Sequence, residues 1–179
     1  MKIKSVEFGK VKIKLKEPYK IAYEEIDEAI NIFLRLETAG GLVGYGVSAP
    51  DFQVTGEKLE GAMSSFRDIV EPSLKNSDSL RYIYLLEKIK PSLKSFPSVR
   101  AAVDMALYDI MGKYAGLPLW RLLGGFRSSI KTSITVGIMD VESTLKRAKR
   151  YVLSGFKVIK LKGGINVEDD IEKLIKMRE

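Results

Sequence analysis

The last third of the chain switches repeatedly between two hydrophobic periods, and this switching restricts the fold more than any other feature of the sequence. Residues 132–138 have the pattern of a strand, 141–154 of a helix ended by Gly155, 157–162 of a strand and 167–178 of a second helix. Strands and helices that alternate at this spacing predict parallel β/α units. Two parallel strands leave apolar surface and sheet edges uncovered, so we expect these units to be part of a larger sheet.

The first fifty residues follow an antiparallel pattern instead. Apolar residues alternate with lysine over 10–16, a β-rich run covers 30–37, and a third run covers 42–47 after the turn signal Ala39-Gly40-Gly41. This spacing predicts a three-stranded antiparallel meander.

The middle of the chain has helical periodicity. One predicted helix covers 59–70 and is stopped by Pro72, a second begins at Asp78 as its N-cap, and a third is capped by Ser98 and ends at Gly116. Together with the meander, these helices predict an α+β domain.

Composition excludes several classes of chemistry. The 179 residues contain no cysteine and no histidine, so a proton-transfer group must be Lys, Asp, Glu or Tyr, and a cytoplasmic location is expected. The net charge is +7, but basic residues are mixed with acidic ones along the whole chain, which argues against nucleic-acid binding. No apolar run is long enough to span a membrane, and the N-terminus lacks a signal-peptide core.

The best candidates for chemistry are Lys160 and Lys162, at the end of the second predicted parallel strand. Alternate residues of a strand face the same side, so the two ammonium groups should share a surface. If that surface is enclosed, each positive charge favours the neutral form of the other, and a neutral lysine can accept a proton. The alternative is a solvated strand face, as lysine alternation over 10–16 also suggests.

A long segment resembles a known family signature. Residues 98–125, SVRAAVDMALYDIMGKYAGLPLWRLLGG, are similar to the signature of the enolase superfamily, mandelate racemase and muconate-lactonizing branch. The resemblance implies an N-terminal capping domain over 1–126, followed over 127–179 by the first two β/α units of an incomplete (β/α)8 TIM barrel. Asp104 and Asp109 diverge on the predicted helix, so we expect them to be structural.

The same resemblance implies roles for the two lysines. In this family the second barrel strand ends in Lys-x-Lys, which makes Lys162 the acid/base for an α-proton of a carboxylate substrate and Lys160 its charged neighbour. The family stabilises the enolate with Mg²⁺. Its carboxylate ligands and a second acid/base lysine lie on later barrel strands, which are absent from these residues. We therefore expect no metal ligand in this chain and no activity from the chain alone.

Two cap loops, residues 17–24 and 48–57, are implied to select the substrate. The segment Gly44–Pro50, followed by Val54–Glu57, resembles the dipeptide epimerases, and so does Thr135. Glu24 stands where Ala-Glu epimerases tend to place a basic residue, and it would repel a side-chain carboxylate. A hydrophobic or cationic dipeptide therefore fits at least as well as Ala-Glu. The expected substrate-binding residues are Thr135, Tyr19, Tyr23, Glu24 and Phe52.

Other functions share the same motif and remain open. A muconate-type cycloisomerase, an N-acylamino acid racemase and an o-succinylbenzoate synthase all use Lys-x-Lys, and an inactive cap-like binding module is the non-enzymatic alternative. The expected partners are a small carboxylate or dipeptide, and either a second copy of the chain or the missing barrel portion.

Overall fold

The computed structural model describes residues 1–20 and 25–178. Its contacts group the chain into two compact units, which are described one at a time below. The first unit comprises Met1–Lys12 and Ile30–Phe126, and the second comprises Ile13–Ala29 and Arg127–Glu179. No helix in the described ranges is both long and apolar enough to cross a bilayer.

A three-stranded sheet forms the N-terminal part of the chain. Its strands are β1 (Ile3–Lys20), β2 (Glu25–Thr38) and β3 (Val43–Ser48), in the order β1-β2-β3. The register of β2 and β3 is antiparallel, from Ile32 opposite Ser48 to Glu37 opposite Val43. The predicted meander is confirmed, but β1 is longer than expected and includes residues 17–20 of the predicted loop.

The helical region of the first unit is divided into short segments. They are α1 (Phe52–Thr55), α2 (Leu59–Ser65), a π-helical segment (Phe66–Val70), α3 (Glu71–Leu74), a 3₁₀ turn (Ser79–Arg81), α4 (Tyr82–Ile89), α5 (Pro97–Ala115) and α6 (Leu119–Leu122).

The expectation that Pro72 stops the first long helix is wrong. Helical structure continues through Leu74, and the π-helical turn lies immediately before the proline. Proline cannot donate a backbone hydrogen bond, and a local change of helical hydrogen-bonding pattern allows the chain to pass it without breaking.

Helix α5 begins one residue earlier than its predicted cap. Pro97 occupies its first turn, and Ser98 lies inside the helix, so the N-cap prediction for Ser98 is wrong. The buried carboxylate of Glu57 accepts hydrogen bonds from the Ser98 N–H (3.0 Å) and from its hydroxyl (2.8 Å). A side chain distant in sequence therefore satisfies the free N–H group at this helix start. Asp78 and Gly116 act as predicted, Asp78 as the cap of the 3₁₀ turn and Gly116 as the left-handed residue that ends α5.

The core of the first unit lies between the sheet and α5. Buried residues of β2 and α5 form it together with Phe66 and neighbouring apolar side chains. Strand β3 approaches α5 very closely, because a Cβ at Gly44 or Gly46 would collide with the backbone oxygen of Ala106 or Ala102. Glycine at these two positions lets the strand lie directly against the helix.

The second unit contains the predicted β/α pair. Its regular elements after residue 127 are β4 (Ser133–Val136), α7 (Val141–Leu153), β5 (Val158–Leu161) and α8 (Val167–Lys176). The two strands pair in parallel, with Ser133 opposite Val158 and Val136 opposite Leu161. Asp140 caps α7 by accepting from the backbone N–H of Ser143. Asn166 caps α8 by accepting from the backbone N–H groups of Glu168 and Asp169. The fold predicted for this region is confirmed, with each element slightly shorter than its sequence pattern.

Candidate functional site

The structure places the lysine pair at the carboxyl end of a parallel strand. Lys160 lies in β5 opposite Thr135 of β4, so these two candidates are neighbours across the strands. Lys162 follows the last residue of β5, and its backbone N–H donates to the oxygen of Val136 at 3.0 Å. In α/β folds, loops at this end of the strands carry the chemistry.

The burial of the side chains alternates along β5. Ile159 and Leu161 are partly buried, whereas Val158 and Lys160 are exposed. Lys162 is partly buried. Helix α7 packs on β4 and on α8. The enclosure that would make Lys160 a desolvated neighbour is not formed by the described residues, because two strands do not close a barrel.

The loop after Lys162 is tightly organised, and the sequence reasoning missed the residues that organise it. The backbone N–H of Gly164 donates to Oδ2 of Asp170 in α8 at 2.7 Å. Asp170 Oδ1 lies 3.5 Å from Nζ of Lys173, whose side chain is buried. The sequence signal was the Gly163-Gly164 pair beside the lysines, followed by an acidic first turn in the next helix.

The loop predicted over 17–24 has one described anchor within the second unit. Glu17 forms ion pairs with Arg147 and Arg150 of α7 at 2.9 Å and 3.2 Å. The bond to Glu17 raises the pKa of Arg150 above its usual value. Two further candidates, Tyr23 and Glu24, lie outside the described residues. Tyr19 lies in β1, next to its last residue.

The second predicted substrate loop belongs to the first unit and is fixed at its base. Ser98 contacts both ends of the loop, because its hydroxyl lies 2.7 Å from that of Ser48 and donates to Glu57. Between these ends, Asp51 caps the short helix α1, and Phe52 on that helix is 61% exposed. The loop thus presents an apolar side chain to solvent from a fixed base. The role of Glu57 was missed, since nothing in the local sequence shows that a carboxylate is buried.

Asp109 of α5 forms contacts that connect two elements of the first unit. Asp109 accepts from the backbone N–H of Tyr45 at 3.0 Å and from Lys113 at 2.8 Å, so it ties α5 to β3. Within 1–20 and 25–178, no three acidic side chains come together in a group that could hold a metal ion. A magnesium ion prefers several oxygen ligands, and the described residues do not fit that requirement.

The family comparison agrees with the fold described above. Residues 3–124 match the family described as Mandelate racemase / muconate lactonizing enzyme, N-terminal domain. The chain belongs to this family. Its relatives include dipeptide epimerases of the enolase superfamily, and solved structures of these relatives have the same fold.

Individual relatives match over the whole chain. An L-Lys-D/L-Arg epimerase from Desulforapulum autotrophicum is 40% identical over 179 residues, which are 100% of this chain and 51% of that protein. A dipeptide epimerase structure from Methylococcus capsulatus, complexed with Mg and the dipeptide L-Arg-D-Lys, is 36% identical with a TM-score of 0.94. The match covers 99% of this chain and 50% of that one.

A third relative has a different ligand. The structure of a dipeptide epimerase from Enterococcus faecalis, complexed with Mg and the dipeptide L-Leu-L-Tyr, is 36% identical with a TM-score of 0.93. The match covers 99% of this chain and 50% of that one. The chain therefore spans about half the length of the relatives it matches.

Proposed function

We propose that this chain is the N-terminal half of an isomerase that removes and returns the α-proton of a dipeptide. The observation that carries the proposal is the position of Lys162 at the carboxyl end of β5, in parallel register with β4. The relatives that epimerise dipeptides match the chain over its full length, so they include this strand.

Lys162 is the proton-transfer group in this proposal. A neutral amine can accept the Cα proton from one face of a carboxylate substrate. Inversion is completed when the second acid/base lysine, which we expect outside this chain, protonates the opposite face of the planar intermediate. Lys160 lies two residues away and becomes an enclosed cationic neighbour once further strands close the barrel. We propose that Thr135, which lies opposite Lys160 in the strand register, hydrogen-bonds the substrate.

The substrate we propose is a dipeptide with a cationic or apolar side chain. Two of the similar proteins are described with Lys-Arg or Arg-Lys dipeptides and one with Leu-Tyr. Glu24 in the first loop would attract a cationic side chain and repel a carboxylate. The exposed ring of Phe52 offers an apolar contact from the second loop. A cationic dipeptide is our first choice, with Tyr19 and Tyr23 as further contacts from the first loop.

We propose that residues outside this chain bind the magnesium ion. The similar structures hold Mg, whereas the described residues provide no suitable group of carboxylates. We therefore expect the ligands on further barrel strands, and we expect the 179 residues alone to be inactive. The cytoplasmic location and the association with the missing barrel portion or a second copy remain predictions.

A panel of dipeptides in D₂O tests the proposed reaction. The complete enzyme that contains this chain should incorporate one deuterium at Cα of the C-terminal residue, as detected by mass spectrometry, with Lys- and Arg-containing dipeptides fastest. The panel should include Ala-Glu, Leu-Tyr and N-succinyl amino acids, because exchange only in the last group would favour an N-acylamino acid racemase. Absence of exchange from every dipeptide would contradict the proposal.

A further inference from the structure

The backbone around Lys162 is held on both sides, by two different elements. On the strand side, the N–H of Lys162 donates to the oxygen of Val136 at 3.0 Å. On the helix side, the N–H of Gly164 donates to Oδ2 of Asp170 at 2.7 Å. Two hydrogen bonds therefore hold the backbone at and after Lys162. The acceptor of the first is a backbone oxygen, and the acceptor of the second is a side chain.

The two glycines after Lys162 make room for this second anchor. A Cβ at Gly163 would collide with the carboxylate of Asp170 in its present position, so glycine here allows the loop and the carboxylate to lie together. Gly164 has a φ of +109°, a conformation that other residues rarely adopt. The missing side chain of Gly163 and the backbone conformation of Gly164 thus both allow the hydrogen bond from Gly164 to Asp170.

The orientation of the carboxylate is fixed by a buried cation. Oδ1 of Asp170 lies 3.5 Å from Nζ of Lys173, one helical turn further along α8. The Lys173 side chain is only 4% exposed, although much of α8 is open to solvent. A buried ammonium requires a negative partner, and Asp170 is the partner that the structure shows. With one oxygen directed at Lys173, the other is directed at Gly164.

We propose that Asp170, oriented by Lys173, is a positioning residue for Lys162. It fixes the loop that follows the proton-transfer lysine and so keeps the amine at the distance and angle that proton transfer requires. This inference rests on the proposed function. Small displacements of a reacting group can cost about a hundredfold in rate, so loss of the Asp170 anchor should be visible in kinetics.

Kinetics on the two substrate epimers separate this role from a general effect on folding. Lys162 acts on one face of the substrate, and we expect a lysine outside this chain to act on the other. Asp170→Ala in the complete enzyme should slow Cα deuterium exchange from one epimer by about 10–100-fold relative to the other. KM should change by less than about threefold, because binding contacts remain. A merely structural role would lower both exchange rates together.

Three further variants keep the test decisive. Asp170→Asn retains an oxygen for the Gly164 N–H but removes the charge that pairs with Lys173, so it should restore the epimer ratio only in part relative to Asp170→Ala. Gly163→Ala leaves every charge in place but displaces the carboxylate, so it should reproduce the asymmetric loss even if Asp170→Ala does not fold. Asp169→Asn is the matched control, because it removes a neighbouring charge in the same turn and should leave both rates unchanged.

The results distinguish a failure of the positioning role from a failure of the proposed function. An active wild-type enzyme in which folded Asp170→Ala and Gly163→Ala both keep the wild-type epimer ratio would overturn the positioning role. A wild-type enzyme that exchanges no dipeptide would instead contradict the proposed function. An asymmetric loss in both variants, with partial or full rescue by Asp170→Asn, would support the role of Asp170.

Discussion

Helix α5 in the first unit and helix α8 in the second bury their apolar side chains very differently. Six apolar side chains of α5 are buried, namely Val99, Ala102, Val103, Ala106, Leu107 and Ile110. The one residue of α8 that is buried is Lys173. Four apolar side chains of α8 are exposed, namely Val167, Ile171, Leu174 and Ile175.

The two helices differ in whether the described residues cover their apolar sides. In the first unit the sheet and the other helices cover α5, so its core is formed by the described residues themselves. In the second unit the apolar side of α8 has the spacing of a helix that packs on a neighbour. We expect a further β/α unit to cover it in the complete barrel, which agrees with relatives about twice as long.

The largest effect should come from truncating matched leucines on the two helices. Leu107→Ala removes a side chain that is 0% exposed and should lower the free energy of unfolding by about 2–5 kcal/mol. In the isolated 179 residues, where no further β/α unit covers α8, Leu174→Ala at a position 54% exposed should change it by less than about 0.5 kcal/mol. Denaturant unfolding followed by circular dichroism and by the fluorescence of Trp120 measures both. Equal losses would contradict the comparison.

An intermediate effect should come from filling the contact between β3 and α5. Gly46→Ala forces the strand away from the Ala102 backbone and should destabilise the first unit by about 1–3 kcal/mol. Gly9→Ala is the matched control in β1, because its Cβ would meet nothing within 4 Å. The control should be neutral or slightly stabilising. Equal denaturation midpoints for the two variants would contradict the close approach of β3 to α5.

The smallest effect should be a difference in acid sensitivity between the units. The bond to Arg35 lowers the pKa of Glu37 in the first unit, and the bonds to Ser143 lower the pKa of Asp140 in the second. A lowered carboxyl pKa stabilises the folded state above the unfolded pKa near 4, and this contribution is lost as the pH falls through the folded value.

Acid titration can assign that contribution to each unit. Trp120 lies in the first unit, so its fluorescence reports the unfolding of that unit. Glu37→Gln should reduce the loss of stability at low pH that this fluorescence reports. Asp140→Asn should flatten only the far-UV circular dichroism signal between about pH 5 and pH 2. A change of the Trp120 signal by Asp140→Asn as large as that by Glu37→Gln would show that the two units do not respond separately.

Much of the fold followed from the sequence because local patterns carried it. Three features each depend on nearby residues: the alternation of apolar residues and lysine in β1, the parallel β/α spacing after residue 131 and the helix end at Gly116. The cap of α5 did not follow, because Glu57 reaches Ser98 across 41 positions of sequence. Pro72 was misread because a π-helical turn before it cannot be recognised from periodicity.

The candidate site was predictable only in part, for a similar reason. The position of Lys160 and Lys162 at a strand end followed from alternation and from the family motif. The contact between Gly164 and Asp170 depends on how the loop turns back onto α8, and the burial of Lys173 depends on packing that its charge argues against. Neither could be derived from residue type and spacing.

The role of Lys162 is tested most directly by deuterium exchange in the complete enzyme carrying Lys162→Ala, measured separately on the two epimers of one active dipeptide. Exchange from one epimer should be lost while exchange from the other persists. Lys157→Ala, which removes an exposed lysine just before β5, should exchange both epimers at the wild-type rates. Wild-type exchange of both epimers by folded Lys162→Ala would contradict the role of Lys162.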